Sequence, residues 1–347
     1  MLKQRIQKLS GALCIGLICV LSLLPIPVMA QTVNSSDFTV RAIIPDNQID
    51  KSKSYFDLLM KPGQAQTLSV DVINGGKEEI TVDVALHAAS TNRNGLIEYQ
   101  VKVDPDETLK TPFNTISNTT DQVKVAPGSA QKVNVTVTMP DQQFDGVILG
   151  GIVFTKRENN AAASGVSINN QFSYVIGVKL SETDKEILPD FRIKSIETTL
   201  VNYRKAVSIN IHNPVPLIIK NANVTAKIYR KNENAPLFSI DKNGIDMAPN
   251  SVFPLPIEWE GKNMDPGQYR LELKLANNGR IWDWKQDFTI DAAKVQEINK
   301  NALDKPVKRN WWTAWWWIPV LIIVVLLLLW VAFLLGRRRR DDEKRKD

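Results

Sequence analysis

The chain has 347 residues, two cysteines, two histidines and a formal net charge of +6. The charge sits at the ends: the first 30 residues hold three basic side chains and no acid, and the last eleven hold seven basic and four acidic ones. The stretch between is neutral and cysteine-free, which excludes disulfides, a thiolate nucleophile, cysteine-ligated zinc and a basic face for nucleic acid.

From the N-terminus, Lys3, Arg5 and Lys8 precede an apolar stretch from Ala12 to Leu24 and then Val28-Met29-Ala30. That order is the pattern of a secretory signal peptide over residues 1–30, with cleavage after Ala30; an uncleaved anchor is the alternative. Both cysteines, Cys14 and Cys19, fall here, behind Leu13 and Ile18, so neither has the small residue that precedes a lipoprotein cysteine. No Leu-Pro-x-Thr-Gly sorting string occurs.

Period-2 alternation fills the region that follows. Apolar residues take every second place in Ile80-Val82-Val84-Leu86, Val133-Val135-Val137, Val207-Ile209-Ile211, Val224-Ala226-Ile228 and Leu271-Leu273-Leu275. These segments predict antiparallel strands with one face in a core and one wet. Turn signals separate them: Asn74-Gly75-Gly76, Asn94-Gly95, Pro127-Gly128, Asn243-Gly244, Pro266-Gly267 and Asn278-Gly279. The fold class expected is mainly β, as two immunoglobulin-like antiparallel sandwiches plus one C-terminal transmembrane helix. The charged, proline-containing stretch Ser181 to Asp190 divides them into a first domain at 31–183, with about nine strands, and a second at 188–290, with about seven. Ala292 to Leu303 reads as a short helix within a 291–310 linker, capped by Asp291, with Val295, Ile298 and Ala302 on one face.

The uncharged run Thr313 to Gly336 is, as a helix, roughly 36 Å long, enough to cross a bilayer core of about 30 Å. Trp315, Trp316 and Trp317 suit the outer headgroup layer, and Arg337, Arg338, Arg339 and Arg340 place the 337–347 tail in the cytoplasm. The expected location is the cell membrane, with a single span and the folded domains outside.

Catalytic signatures are missing. His87 and His212 both read as exposed residues at strand ends, and no Gly-x-Ser-x-Gly elbow, His-Glu-x-x-His, phosphate loop or EF-hand loop appears. No cofactor or metal is called for. A glycan hydrolase needs only two carboxylates, whose separation is invisible in sequence, so that reading stays open. Ile-Pro-Asp-Asn-Gln at 44–48 reads first as a turn. The alternative is that Asn47 and Gln48 present amides to a sugar or peptide, with Tyr55 as a stacking face and Asp57 beside it. Asp145 to Lys156 is apolar almost throughout and reads as a central strand, where Gly150-Gly151 marks a bulge, tight sheet packing or the close approach of a ligand. Trp282 and Trp284 share one face of a strand and read as core rather than as a binding platform.

Taken in order, the leader, Ile44–Gln48, Tyr55-Phe56-Asp57-Leu58, Pro62-Gly63-Gln64, Asn94-Gly95, Gly150-Gly151-Ile152, His212-Asn213-Pro214, Pro266-Gly267-Gln268-Tyr269, Trp282, Trp284, Phe288 and the basic-ended span resemble the WxL-interacting proteins of Gram-positive cell surfaces. The resemblance covers nearly the whole mature chain. It implies a first domain that binds peptidoglycan, a second that binds host proteins, including extracellular matrix, and WxL-domain proteins as partners. None of the nine tryptophans has leucine two places on, so this chain would be the membrane-held partner of a WxL protein. The function expected is a non-enzymatic scaffold and adhesin. The alternatives are a cell-wall glycan hydrolase and a surface chaperone that adds a strand to exported partners.

Overall fold

The computed structural model describes residues 38–102, 104–157, 172–259 and 264–303, together with seven residues of the uncharged run at 318, 321–323, 325, 326 and 330. Those seven are helical, and among the described residues no helix is long and apolar enough to cross a membrane. The leader, Trp315–Trp317, Arg337–Arg340 and most of the expected span lie outside the described residues.

The protein is mainly β. Eleven strands precede the break: β1 (Phe38–Ile43), β2 (Phe56–Leu59), β3 (Ala65–Asn74), β4 (Ile80–Ala88), β5 (Ser90–Thr91), β6 (Ile97–Glu98), β7 (Ser117–Asn118), β8 (Gln122–Val125), β9 (Ala130–Thr138), β10 (Ile148–Lys156) and β11 (Ser173–Ser181). They form a four-stranded sheet, β1-β3-β9-β7, and a five-stranded sheet, β2-β11-β10-β4-β8, with β5-β6 as a separate ribbon. The inward residues of both sheets share one core: Phe38, Val70, Val72 and Val135 from the first meet Phe56, Val82, Ile152, Phe154 and Val178 from the second. Burying a phenylalanine of this kind contributes about 2–3 kcal/mol, so the alternating apolar faces suffice to hold the layers together.

Seven strands follow: β12 (Arg192–Val201), β13 (Arg204–Asn213), β14 (Ile219–Arg230), β15 (Phe238–Met247), β16 (Ser251–Glu258), β17 (Gly267–Asn277) and β18 (Arg280–Ile290). They make a three-stranded sheet, β12-β13-β16, over a four-stranded one, β15-β14-β17-β18. β16 pairs with β13 on one side only, and its Pro254 and Pro256 remove two donors from the strand, which suits a sheet edge. Trp282 and Trp284 pack against this core, and Trp282 meets Phe191 edge-on at 4.8 Å. Helix α1 (Ala292–Asn301) starts where Asp291 accepts a hydrogen bond from the Ala293 amide at 2.7 Å, and it buries Val295 and Ile298.

Three expectations change. Asn243-Gly244 is not a turn between strands. It lies inside β15, where the register against β14 slips and Gly244 takes a φ of +70°, so the pair forms a bulge. The turn that the sequence reading overlooked is Asn202-Tyr203, which joins β12 to β13 with φ of 51° and 61°. β13 is not half-wet: Ser208 and His212 on its polar phase are buried as well as its apolar residues.

Candidate functional site

The turn at 45–50 is built on Gln48. Its side chain is buried; Nε2 donates to the Tyr55 carbonyl at 2.8 Å and the Asp50 carbonyl at 3.2 Å, and Oε1 accepts the Asp57 amide at 3.0 Å. Asn47 exchanges two 2.8 Å hydrogen bonds with the Gln66 amide. Both side chains therefore hold the loop against β2 and β3, as the turn reading expects. Tyr55, at the mouth of this loop, keeps 37% of its surface exposed. Asp57 is buried beside Lys179 of β11, with Oδ1 3.0 Å from Nζ.

Tyr55 belongs to a larger arrangement on the outward face of the five-stranded sheet. Gly151 of β10 pairs across the ladder with Gly177 of β11 on one side and His87 of β4 on the other, with no register slip through either pairing. Of the readings open at Gly150-Gly151, the bulge is thus absent and tight packing explains both glycines. A Cβ on Gly150 would lie 2.3 Å from Phe113, whose ring is wholly buried between the sheets. A Cβ on Gly151 would lie 2.8 Å from Cβ of Tyr99. A Cβ on Gly177 would meet Cβ of Tyr55 at 3.7 Å. Two tyrosines therefore lie over two paired glycines, with the Asp57–Lys179 ion pair on neighbouring rungs. His87 Nδ1 sits 2.9 Å from the Tyr99 carbonyl and fixes the segment that carries Tyr99. Burial, and then the nearness of Tyr55, push the Tyr99 hydroxyl above the usual tyrosine range, so it is a neutral donor at physiological pH. This surface can stack a flat saccharide or peptide face and donate hydroxyl hydrogen bonds.

Sequence reasoning located Tyr55 and Asp57 but not Tyr99, Gly177 or Lys179. The only cue was Gly151, which signals a close approach without naming what approaches.

The second polar cluster joins the two halves of the molecule. His212 is 6% exposed rather than the open strand-end residue expected, and its Nε2 lies 2.9 Å from Asp106 and 3.2 Å from the Thr108 hydroxyl. Asp106 also accepts from Lys194 and from the Thr108 amide at 2.9 Å and hydroxyl at 2.7 Å. Burial alone would raise its carboxyl pKa. The Lys194 and Thr108 hydrogen bonds and the His212 imidazole outweigh that and hold it far below the usual carboxylate range. Nearby, Thr91 Oγ1 of the β5-β6 ribbon lies 2.6 Å from Ser251 Oγ and accepts the Ala248 amide at 3.0 Å; Val147 donates to the Pro216 carbonyl at 2.8 Å. Ala89, Leu149 and Ala248 form a small apolar core around these bonds. Among the described residues no group of histidine, aspartate and glutamate is placed to hold a metal ion.

Two family profiles match the chain: the peptidoglycan binding domain of WxL Interacting Protein over residues 38–156, and the host binding domain of the same protein over 163–300. The second match begins ahead of β11, a strand that pairs with β10 and β2 in the first pair of sheets. Among curated proteins no relative matches. The E. coli chaperone DraB is similar at 13% identity over 73% of this chain and 98% of that one, with a TM-score of 0.28. The Pseudomonas aeruginosa CupB2 chaperone is similar at 12% identity over 67% and 97%, with a TM-score of 0.27.

Proposed function

The chain belongs to the WxL-interacting protein family, and on that premise we propose that it is a non-enzymatic, membrane-anchored scaffold of the cell surface. Its family domains give it a binding role at the surface, directed at peptidoglycan and host targets. In the finer reading the first pair of sheets grips peptidoglycan, the second meets host matrix proteins, and the whole assembles with WxL-domain proteins. The uncharged run 313–336 is the anchor, with Arg337–Arg340 on the cytoplasmic side.

The observation that carries the peptidoglycan reading is the seating of Tyr55 and Tyr99 on Gly177 and Gly151. Gly151 lets Tyr99 lie close to the sheet, with Tyr55 beside it over Gly177, and the two rings offer aromatic faces to a sugar ring. Stacking of this kind needs no net charge, in keeping with a neutral region between the two ends.

The test is retention on purified sacculi of residues 31–303, wild type against Tyr55→Ala combined with Tyr99→Ala. Wild-type retention should survive moderate salt and fall about tenfold in the double variant, the loss expected when two contacts worth about 0.5–1 kcal/mol each disappear. Equal retention of the two proteins would sink the assignment of the platform. Release of soluble glycan fragments would overturn the non-enzymatic reading.

A further inference from the structure

The β12–β13 hairpin ends on an unusual turn. Asn202 and Tyr203 both occupy the left-handed region, at φ 51° and 61°. Asparagine tolerates that conformation; tyrosine gives up roughly 1 kcal/mol there. The β17–β18 hairpin makes a comparable turn with Asn278 and Gly279, where glycine avoids the cost. Packing does not offset the strain at Tyr203, because the side chain is 65% exposed. Next to it, two residues beyond helix α1, Leu303 is 76% exposed and donates its amide to the Tyr203 carbonyl at 2.9 Å. An aromatic and a leucine thus project together at the point where the folded chain hands over to the segment leading to the uncharged run.

We infer that this tip, Tyr203 with Leu303, rests in the headgroup layer of the membrane that anchors the chain, as a second, non-covalent attachment of the ectodomain. The inference rests on reading 313–336 as a span. Nine residues, 304–312, separate Leu303 from that run, and extended they reach at most about 30 Å. They carry Lys305, Lys308 and Arg309 against the single acid Asp304, a balance that favours an anionic lipid surface. Trp311 and Trp312 follow, so the connection closes on residues suited to the same layer. Tyrosine, with an apolar ring and a polar end, fits the boundary between headgroups and acyl chains. Leu303 adds apolar area to it. The strain at Tyr203 is thereby matched to a contact outside the folded chain.

The test uses the full chain, with Cys14 and Cys19 replaced by serine, reconstituted in nanodiscs containing phosphatidylglycerol. Single cysteines are introduced by Tyr203→Cys, by Leu303→Cys and, as a distant control, by Tyr55→Cys, and each is labelled with an environment-sensitive fluorophore. Labels at 203 and 303 should emit to the blue of the label at 55 and lose about half their emission when the lipid carries a shallow acyl-chain quencher, as groups seated at the interface do. Labels at 203 and 303 that behave like the label at 55, in protein that has entered the discs, would overturn the inference while leaving the span intact. Failure of the chain to enter the discs at all would remove the span reading and the inference with it. Leu303→Cys leaves the strained turn untouched, so an effect of Tyr203→Cys on folding leaves that arm decisive.

Discussion

β10 and β13 are both buried on both faces, and they reach that state by opposite chemistry. β10 is apolar nearly throughout and meets its covers, Phe113 and Tyr99, with bare glycine backbone. β13 alternates as a half-wet strand would, but Ser208 and His212 on its polar face are enclosed: Ser208 Oγ donates to Asn210 Oδ1 at 3.2 Å and His212 Nε2 lies 2.9 Å from Asp106. The difference teaches that a covered strand is visible in sequence only when its cover is apolar. A polar cover leaves the period-2 pattern of an exposed face intact, because buried polar groups satisfied by hydrogen bonds look the same in sequence as groups satisfied by water.

The largest effect should come from filling the inner glycine. Gly150→Val drives two methyl groups into Phe113 and should destabilise the first pair of sheets by about 3 kcal/mol or more, read as a shift in denaturant midpoint. An unchanged midpoint would show that Phe113 can move aside. On β13, His212→Ala leaves a buried carboxylate short of one partner and should cost about 2 kcal/mol, with faster hydrogen exchange at Thr108 and along the β5-β6 ribbon. The same cluster sets a pH dependence. Asp106 titrates lower folded than unfolded, so the unfolded chain takes up its proton first as pH falls. Its stabilisation is therefore full above about pH 4 and is lost on further acidification, and Asp106→Asn should flatten that acid limb of the stability profile.

A smaller effect on folding, with a larger one on binding, is expected at the outer glycine. Gly151→Ala displaces Tyr99 and should cost about 1 kcal/mol of stability while lowering sacculus retention several-fold. Stability loss without a change in retention would separate Tyr99 from binding. Smallest for the fold is Tyr55→Ala, which should leave the midpoint within about 0.5 kcal/mol because the ring is partly exposed, and yet weaken retention.

Most of the fold was legible because it follows from alternation. The strands at Ile80, Val133, Val224 and Leu271 and the Asp291 cap stand where local pattern puts them. The errors have local causes too. Asn243-Gly244 carries turn chemistry, but its φ requirement is met equally by a bulge. Asn202-Tyr203 has no glycine to announce a turn. The candidate site was half legible: the loop around Gln48 advertised itself by Pro-Asp-Asn, and Tyr55 came with it. Tyr99 stayed hidden because its partner glycine lies 52 residues away in sequence and is brought beneath it only by strand pairing.

By itself the sequence determined the class of structure, the neutral cysteine-free character of the region between the ends, and the family, since these depend on composition, on period and on motifs in order. The tertiary structure decided which polar residues are enclosed, that Gly150 and Gly151 lie beneath Phe113 and Tyr99, and that His212 links β13 to Asp106 of the first half. Those facts concern residues far apart in the chain. Alternation states which face a side chain takes, but only the pairing of strands and the packing of sheets determine what stands opposite it.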